Sequence, residues 1–405
     1  MIGSLPDPIP TLRRSTRMET ERRISLTRCR AGIGRAATAG LFLFALAWLA
    51  LPAPSPAAAL GKGQAKPPAQ HKHHGKSRPV KPRPSYWGAW IGDNLTGAKP
   101  PWDMSAVTKF EQMTGRGLSL VEFSQPFSDC GSTPCTPFPF PAGEMEKIRE
   151  YGAIPFFSWG SDSIPVPEIP GEPDFQLSDV IAGSYDEYIR EFAEAAREWG
   201  HPFFLRFNWE MNGNWFPWNQ SVNGNQPSEV VAAWRHVHDI FTAVGATNAT
   251  WVWCPYADPF HRFGDIGSLY PGNAYVDWTS MDGFNWASNP TNPHPWESFD
   301  QIFRASYLHI IKHIAPTKPM VLAEIASTGS GRAKAAWIDN MFKMLATRYR
   351  RIRGLIWFDQ VDRGISWPLE TSPAATRAFA RGIRHWAFKS NGYAAASTSP
   401  VIPPG

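Results

Sequence analysis

From Tyr86 onward the chain alternates between two hydrophobic periods, and this alternation limits its fold more than any other feature. Short apolar runs rich in aromatic and β-branched residues recur near residues 86–91, 118–124, 153–159, 203–209, 249–255, 276–285, 319–325 and 354–358. They have the length of strands, and most are separated by stretches with helical spacing. Tyr185, Tyr188, Ile189, Phe192, Ala196 and Trp199 fall on one stripe, behind a Ser184/Glu187 capping pair and ahead of the stop residue Gly200. A second helix is predicted from Ser228 to just before Gly245, burying Val231, Trp234, Val237 and Phe241. Strands alternating with helices over about 300 residues predict an α/β chain folded as a (β/α)8 TIM barrel. An open doubly wound sheet is the alternative, because strand count alone does not prove closure.

The sequence before Tyr86 has a different character. Eight arginines between Arg13 and Arg35 precede an apolar run from about Ala37 to Leu51, followed by small residues and Ala57-Ala58-Ala59. The run is shorter than the ~20 residues of a membrane span, so residues 1–59 read as a signal peptide, with an uncleaved membrane anchor as the alternative. Met18 is a second candidate start, and Arg22-Arg23 a candidate twin-arginine signal. Either way the body is expected to be secreted or extracytoplasmic. Residues 60–85 are basic, Pro-rich and too poor in large apolar side chains to fold, and read as a linker. Residues 86–388 are then the barrel and 389–405 a flexible tail.

The 405-residue chain has a formal charge of +5, but residues 1–85 hold 15 Lys and Arg against three acids. That leaves 25 against 32 in residues 86–405, a net −7, so the body has no general basicity to hold nucleic acid. Cys130 and Cys135 share a loop and can close a short disulfide in an oxidising compartment. Cys254 lies in an apolar strand and reads as a reduced core thiol. His309 and His313 have chelating spacing, but Lys312 adjoins and no glutamate stands between them, so a solvated helix face is the reading. No Gly-x-Ser-x-Gly elbow or phosphate-binding loop occurs, which leaves acyl and phosphoryl transfer unsupported. No cofactor or metal is called for.

Two glutamates end apolar runs: Glu210 in Arg206-Phe207-Asn208-Trp209-Glu210-Met211-Asn212-Gly213, and Glu324 in Val321-Leu322-Ala323-Glu324. By count they close strands 4 and 7, where barrel enzymes place their chemistry. Period two puts Arg206, Asn208 and Glu210 on one face, with Arg206 below the carboxylates. Trp215, Trp218, Trp286 and Trp357 follow or end strands, and aromatic faces suit sugar rings. Two carboxyls made unequal by their neighbours can act as proton donor and nucleophile on a glycosidic bond. A carboxyl beside Trp209 or Trp215 is biased towards the neutral form and one near Arg206 towards the charged form. Glu210 is therefore assigned as acid/base and Glu324 as nucleophile.

The Glu-Met-Asn-Gly of residues 210–213 with its Trp-rich sequel resembles the acid/base motif of glycoside hydrolase family 26, and Leu322-Ala323-Glu324 its nucleophile segment. The resemblance spans about residues 86–386. It implies a (β/α)8 barrel and retaining endo-hydrolysis of a β-linked polysaccharide, most often β-1,4-mannan; a monomer is expected. It also implies that Trp357 is the platform under the sugar at the cleavage point. Arg206, Asn212, Trp215, Trp218, Asp282, Phe284 and Trp286 are the further candidate substrate-binding residues. Trp87, Trp90 and Trp159 stand open between subsite and core. Two residues depart from the family's mannanases: Trp209 replaces the usual His before the acid/base, and Phe284 stands where a Tyr reaches the nucleophile. Mixed-linkage glucan, xylan or a bacterial exopolysaccharide are the alternative substrates. The competing classes are a catalytically silent carbohydrate-binding barrel and an envelope protein held to acidic polymers or a membrane through its N-terminal segment.

Overall fold

The computed structural model describes residues 82–165, 174–258, 264–287, 295–329, 331–362, 364–385, 387–390 and 398–405. The leader and nearly all of the linker lie outside the described residues. Eight parallel strands form the barrel: β1 (Gly88–Ile91), β2 (Leu120–Asp129), β3 (Ile154–Ile164), β4 (Phe203–Phe207), β5 (Ala249–Trp253), β6 (Trp278–Asn285), β7 (Met320–Ser327) and β8 (Ile352–Asp359). β1 pairs with both β2 and β8, so the sheet closes on itself and the open-sheet alternative falls away.

Alternation along the strands creates two cores. Leu120, Phe156, Phe204, Val252, Trp278, Val321 and Ile356 point into the barrel. Their neighbours Val121, Phe157, Leu205, Trp253, Leu322 and Trp357 join a larger core shared with the helices outside. Each strand is buried on both faces, as a parallel sheet sheathed by helices requires. The helix Asp186–Trp199 carries Ile189, Phe192, Ala193 and Ala196 on its buried side and stops at Gly200, whose φ is 73°. It starts after Tyr185 with no side-chain cap, so the expected Ser184 box is not formed. The helix Pro227–Val244 begins one residue earlier than expected and is closed by a Gln226/Glu229 box. Val230 is buried in place of Val231, while Trp234, Val237 and Phe241 are buried as expected.

The C-terminal tail corrects its reading as flexible. Val401 is buried in the inner barrel core, its N–H donated to Thr250 Oγ1 (2.8 Å) and its carbonyl accepting from Trp278 Nε1 (2.6 Å). The Tyr86 hydroxyl donates to Ile402 O (2.9 Å), so the tail plugs the end of the barrel where the strands begin. Val401 alone supplies the plug, since the Ile402 side chain is exposed. The body also takes in residues before Tyr86: Ser85 bridges Phe388 and its hydroxyl donates to Arg83 O.

Candidate active site

At the opposite end, where the strands finish, Arg206 stands inside the barrel with no exposure. Parity requires this, since Phe204 also faces inward while Leu205 and Phe207 face the helices. Its guanidinium donates from Nε to Ser158 Oγ (2.8 Å), from Nη1 to Asp282 Oδ2 (2.6 Å), and from Nη2 to Glu122 Oε1 (2.5 Å) and to Glu324 Oε1. Trp209 covers it, with its ring 5.0 Å from the guanidinium carbon. One fixed cation thus holds three carboxyl groups in a dry site, and mutual repulsion forbids all three from ionising freely.

Glu324 reaches this cluster because β7 is irregular. Leu322 and Ile325 both face the helices, and the β6 pairing skips Ala323, so Ala323 and Glu324 lie together on the inner side. A bulge of this kind turns a side chain towards a site that strict alternation would deny it. The Glu324 N–H also donates to Asp282 Oδ1 (2.8 Å), and Cys254 Sγ donates to the same oxygen (3.2 Å). Cys254 is therefore a buried reduced thiol, but one bound into the polar network. Burial, countered by Arg206 and reinforced by Glu324, pushes Asp282 up to about 7. Burial pushes Glu122 well above the usual carboxylate range despite Arg206.

Glu210 lies three residues past β4, and its backbone is not a continuation of the strand. Asn208 and Glu210 have φ of 40° and 52°, left-handed conformations that cost free energy in residues with a Cβ. Asn208 therefore departs from the expected shared face: its side chain accepts from Ser161 N (2.8 Å) and donates to Ser161 Oγ (2.8 Å) on β3. Glu210 is fastened by its N–H to Cys254 O (2.6 Å) and by its carbonyl to Asn219 Nδ2 (2.8 Å). Its Oε2 accepts from Trp215 Nε1 at 2.5 Å. Burial first, then the charges of Asp282 and Glu324, push its carboxyl well above the usual range, against the Trp215 bond and Arg206. The site thus contains a carboxyl biased towards the protonated form beside one paired with arginine.

The other expected residues divide. Trp215 and Trp286 are half-buried at the rim, where Trp286 Nε1 donates to the Tyr256 hydroxyl (3.0 Å) and Trp215 meets the Tyr256 ring edge-on at 5.1 Å. Phe284 joins them through Trp286 and Trp367, at 5.8 and 5.0 Å. Asn212 braces the wall instead of facing open space: its amide exchanges two bonds with the backbone of Tyr256. Trp218 is buried, stacked on Phe216 at 4.5 Å and bonded to Trp209 O, and so shapes the loop without offering a sugar face.

Trp357 is the clear correction. It points outward between Trp337 and Phe379, because Ile356 takes the inward position and a one-residue offset changes the face. Phe358 is the β8 residue at the mouth, stacked on Trp90 at 6.0 Å and meeting Phe284 edge-on at 5.6 Å. Trp87 and Trp159 are core, while Trp90 belongs to the rim. Glu122, Tyr256, Phe358 and Trp367 were not foreseen. Glu122 had a signal, a lone acid within Leu120-Val121-Glu122-Phe123 on the parity of an inward leucine. Cys130 and Cys135 are joined by a disulfide. His309 bonds Asp265 and, among the described residues, no group of three metal-ligating side chains occurs.

Residues 174–337, which include both glutamates, match the family model for glycosyl hydrolase family 26. Endoglucanase H of Acetivibrio thermocellus is 31% identical over 301 residues, 73% of this chain and 30% of that protein. The mannan endo-1,4-beta-mannosidase of Bacillus subtilis is 23% identical over 175 residues, 42% of this chain and 39% of that one. The chain thus spans well under half the length of these relatives. Among solved structures, a Cellulomonas fimi endo-beta-1,4-mannanase double mutant superposes with a TM-score of 0.57 at 17% identity, covering 80% of this chain and 77% of the other. The Bacillus subtilis mannanase BCman does so with a TM-score of 0.54 at 17% identity, covering 79% and 91%. Those two likenesses are of fold. Fold, matched segment and similarity agree: the chain belongs to glycosyl hydrolase family 26.

Proposed function

We propose that the protein is an exported, retaining, endo-acting hydrolase of a β-linked glucan. The observation that carries the mechanism is the inequality of the two carboxyls: Glu210 is buried against an indole and pushed towards the neutral form, and Glu324 is bonded to Arg206. In the first step Glu210 gives its proton to the departing glycosidic oxygen while Glu324 attacks the anomeric carbon. In the second, Glu210, now ionised, takes a proton from water, which displaces Glu324 and restores both groups. The barrel holds Glu324 through the Arg206 bond and its own N–H to Asp282, so little reorganisation accompanies the developing charge.

Glucan is preferred to mannan for two reasons. The 31% identity to an endoglucanase over most of this chain exceeds the 23% to a mannosidase over less of it. Moreover, Trp209 and Phe284 remove the His and Tyr that the family's mannanases place beside the cleavage point. The second reading, β-1,4-mannan, keeps the same mechanism. Export is supported by the arginine-led apolar leader and by the Cys130–Cys135 disulfide, which suits an oxidising compartment.

The test is hydrolysis of mixed-linkage glucan, mannan, glucomannan and xylan by the full chain beside Glu210→Gln and Glu324→Gln. Release from glucan, lost in both variants by several orders of magnitude, is the expected result. Hydrolysis that survives either substitution would overturn the assignment. Polysaccharide binding without turnover would favour the silent barrel.

A further inference from the structure

The pole opposite the active site carries a cavity of about 190 Å³, far larger than a single water needs. Its floor is apolar: Phe342, Leu345, Ile352, Leu355 and Phe388 line it. Its rim is cationic, with Arg83, Arg350, Arg381 and His385. Arg381 is neutralised by two bonds to Asp339, both 3.0 Å. Arg83 and Arg350 are exposed and make no ion pair among the described residues. Arg351 and Arg353 stand nearby: Arg83, Arg350 and Arg351 all act on the Tyr307 hydroxyl, and the Arg83 charge together with burial lowers Arg353. Arginines gathered without a paired acid repel one another, and an anion placed between them relieves that repulsion.

We infer that this cavity is a binding site for an anionic phospholipid, with acyl chain in the apolar pocket and the phosphate at Arg83 and Arg350; Arg353, whose guanidinium is committed to Pro84 O and Pro404 O, adds only its charge. Three observations favour a lipid. An acidic polysaccharide or inorganic phosphate would satisfy the arginines but has no apolar part to fill the floor. Arg83, itself on the rim, belongs to the cationic stretch of residues 60–85, which holds seven Lys and Arg and no acid. That linker leads back to the apolar run of residues 37–51. Basic residues next to a membrane-directed segment are attracted to anionic leaflets. A lipid held at this pole turns the mouth of the barrel away from the bilayer and towards polymer outside it.

The site is independent of the glycosidase reading, and so is its test. The full chain is titrated with monomeric dihexanoyl phosphatidylglycerol, dihexanoyl phosphatidylcholine and inorganic phosphate by calorimetry. Monomeric short-chain lipid reports on the cavity and not on insertion of the leader. The phosphatidylglycerol is expected to bind at least about tenfold more tightly than either of the others. Arg83→Glu with Arg350→Glu should abolish that preference, Ala346→Trp should fill the cavity and weaken both lipids, and Arg190→Glu on a distant helix should change nothing. Equal affinity for the two lipids overturns the proposal, as does phosphate binding as tight as that of the lipid. If Ala346→Trp does not fold, the exposed arginine variants carry the test, and unchanged lipid affinity in them refutes the site.

Discussion

Replacing Glu122 tests the electrostatics of the site at the group least visible from the sequence. Glu122 Oε1 accepts from Arg206 Nη2 at 2.5 Å and from Ser158 Oγ at 3.0 Å, while Oε2 has no partner and lies out of water. An ionised Glu122 would leave a charged oxygen bare beside Asp282 and Glu324, and burial outweighs Arg206 in pushing it towards the neutral form. The sign follows. A carboxyl whose folded value is raised binds more protons folded than unfolded, so its contribution falls as pH rises from the unfolded value towards the folded one. Glu122→Gln keeps the neutral shape and the acceptor without needing a proton, so it should match the parent within about 1 kcal/mol near pH 5, flatten the decline with pH and be the more stable of the two at pH 7. Glu122→Ala removes both bonds and opens a void beside a buried cation. It should cost about 3–5 kcal/mol, on the order of 10 °C in melting temperature. Thermal denaturation of the three proteins between pH 5 and 8 makes the comparison. Should Glu122→Gln lose as much as Glu122→Ala at pH 7, Glu122 is ionised and the account of the cluster is wrong.

Other outcomes follow from the same geometry. Trp215→Phe removes the indole donor that favours ionised Glu210, so the Glu210 carboxyl should rise further and the alkaline limb of kcat/KM move to higher pH; an unmoved or acid-shifted limb contradicts the pairing. Trp357→Ala should cost about 3–5 kcal/mol in denaturant unfolding and leave KM unchanged, whereas Trp286→Ala should raise KM with little loss of stability. A raised KM in the Trp357 variant would return that residue to the site. Deleting residues 398–405 uncovers the inner core at Val401, and should lower stability by at least the ~1.5–3 kcal/mol of one buried side chain. An unchanged unfolding midpoint would show that the tail does not plug the barrel.

Much of the barrel was legible because parallel strands buried on both faces leave continuous apolar runs, and all eight strands fall at or within a few residues of those runs. The two glutamates were legible for a related reason: each interrupts or follows such a run. Their immediate geometry was not. Period two carried the prediction past Phe207, but Asn208 and Glu210 adopt left-handed φ that no local pattern announces. In β7 the bulge at Ala323 decides where Glu324 points, and it arises from pairing with β6, which is non-local. Trp357 was misplaced by one residue of parity, since an apolar run buried on both sides carries no mark of which face is inner. Trp218 was read as a sugar platform because an aromatic-rich loop looks the same in sequence whether its rings face solvent or each other. The tail was misread because composition speaks for local disorder and says nothing of a cavity waiting at the barrel's base.

The most direct test of the central claim is to trap the enzyme with a 2-deoxy-2-fluoro glucosyl donor that slows the second step, and to map the label by peptide mass spectrometry. The account predicts one added sugar, bound to Glu324, and release of the β-anomer first when glucan hydrolysis is followed by proton NMR. A label on another residue would remove Glu324 as nucleophile, and release of the α-anomer first would contradict a double displacement altogether.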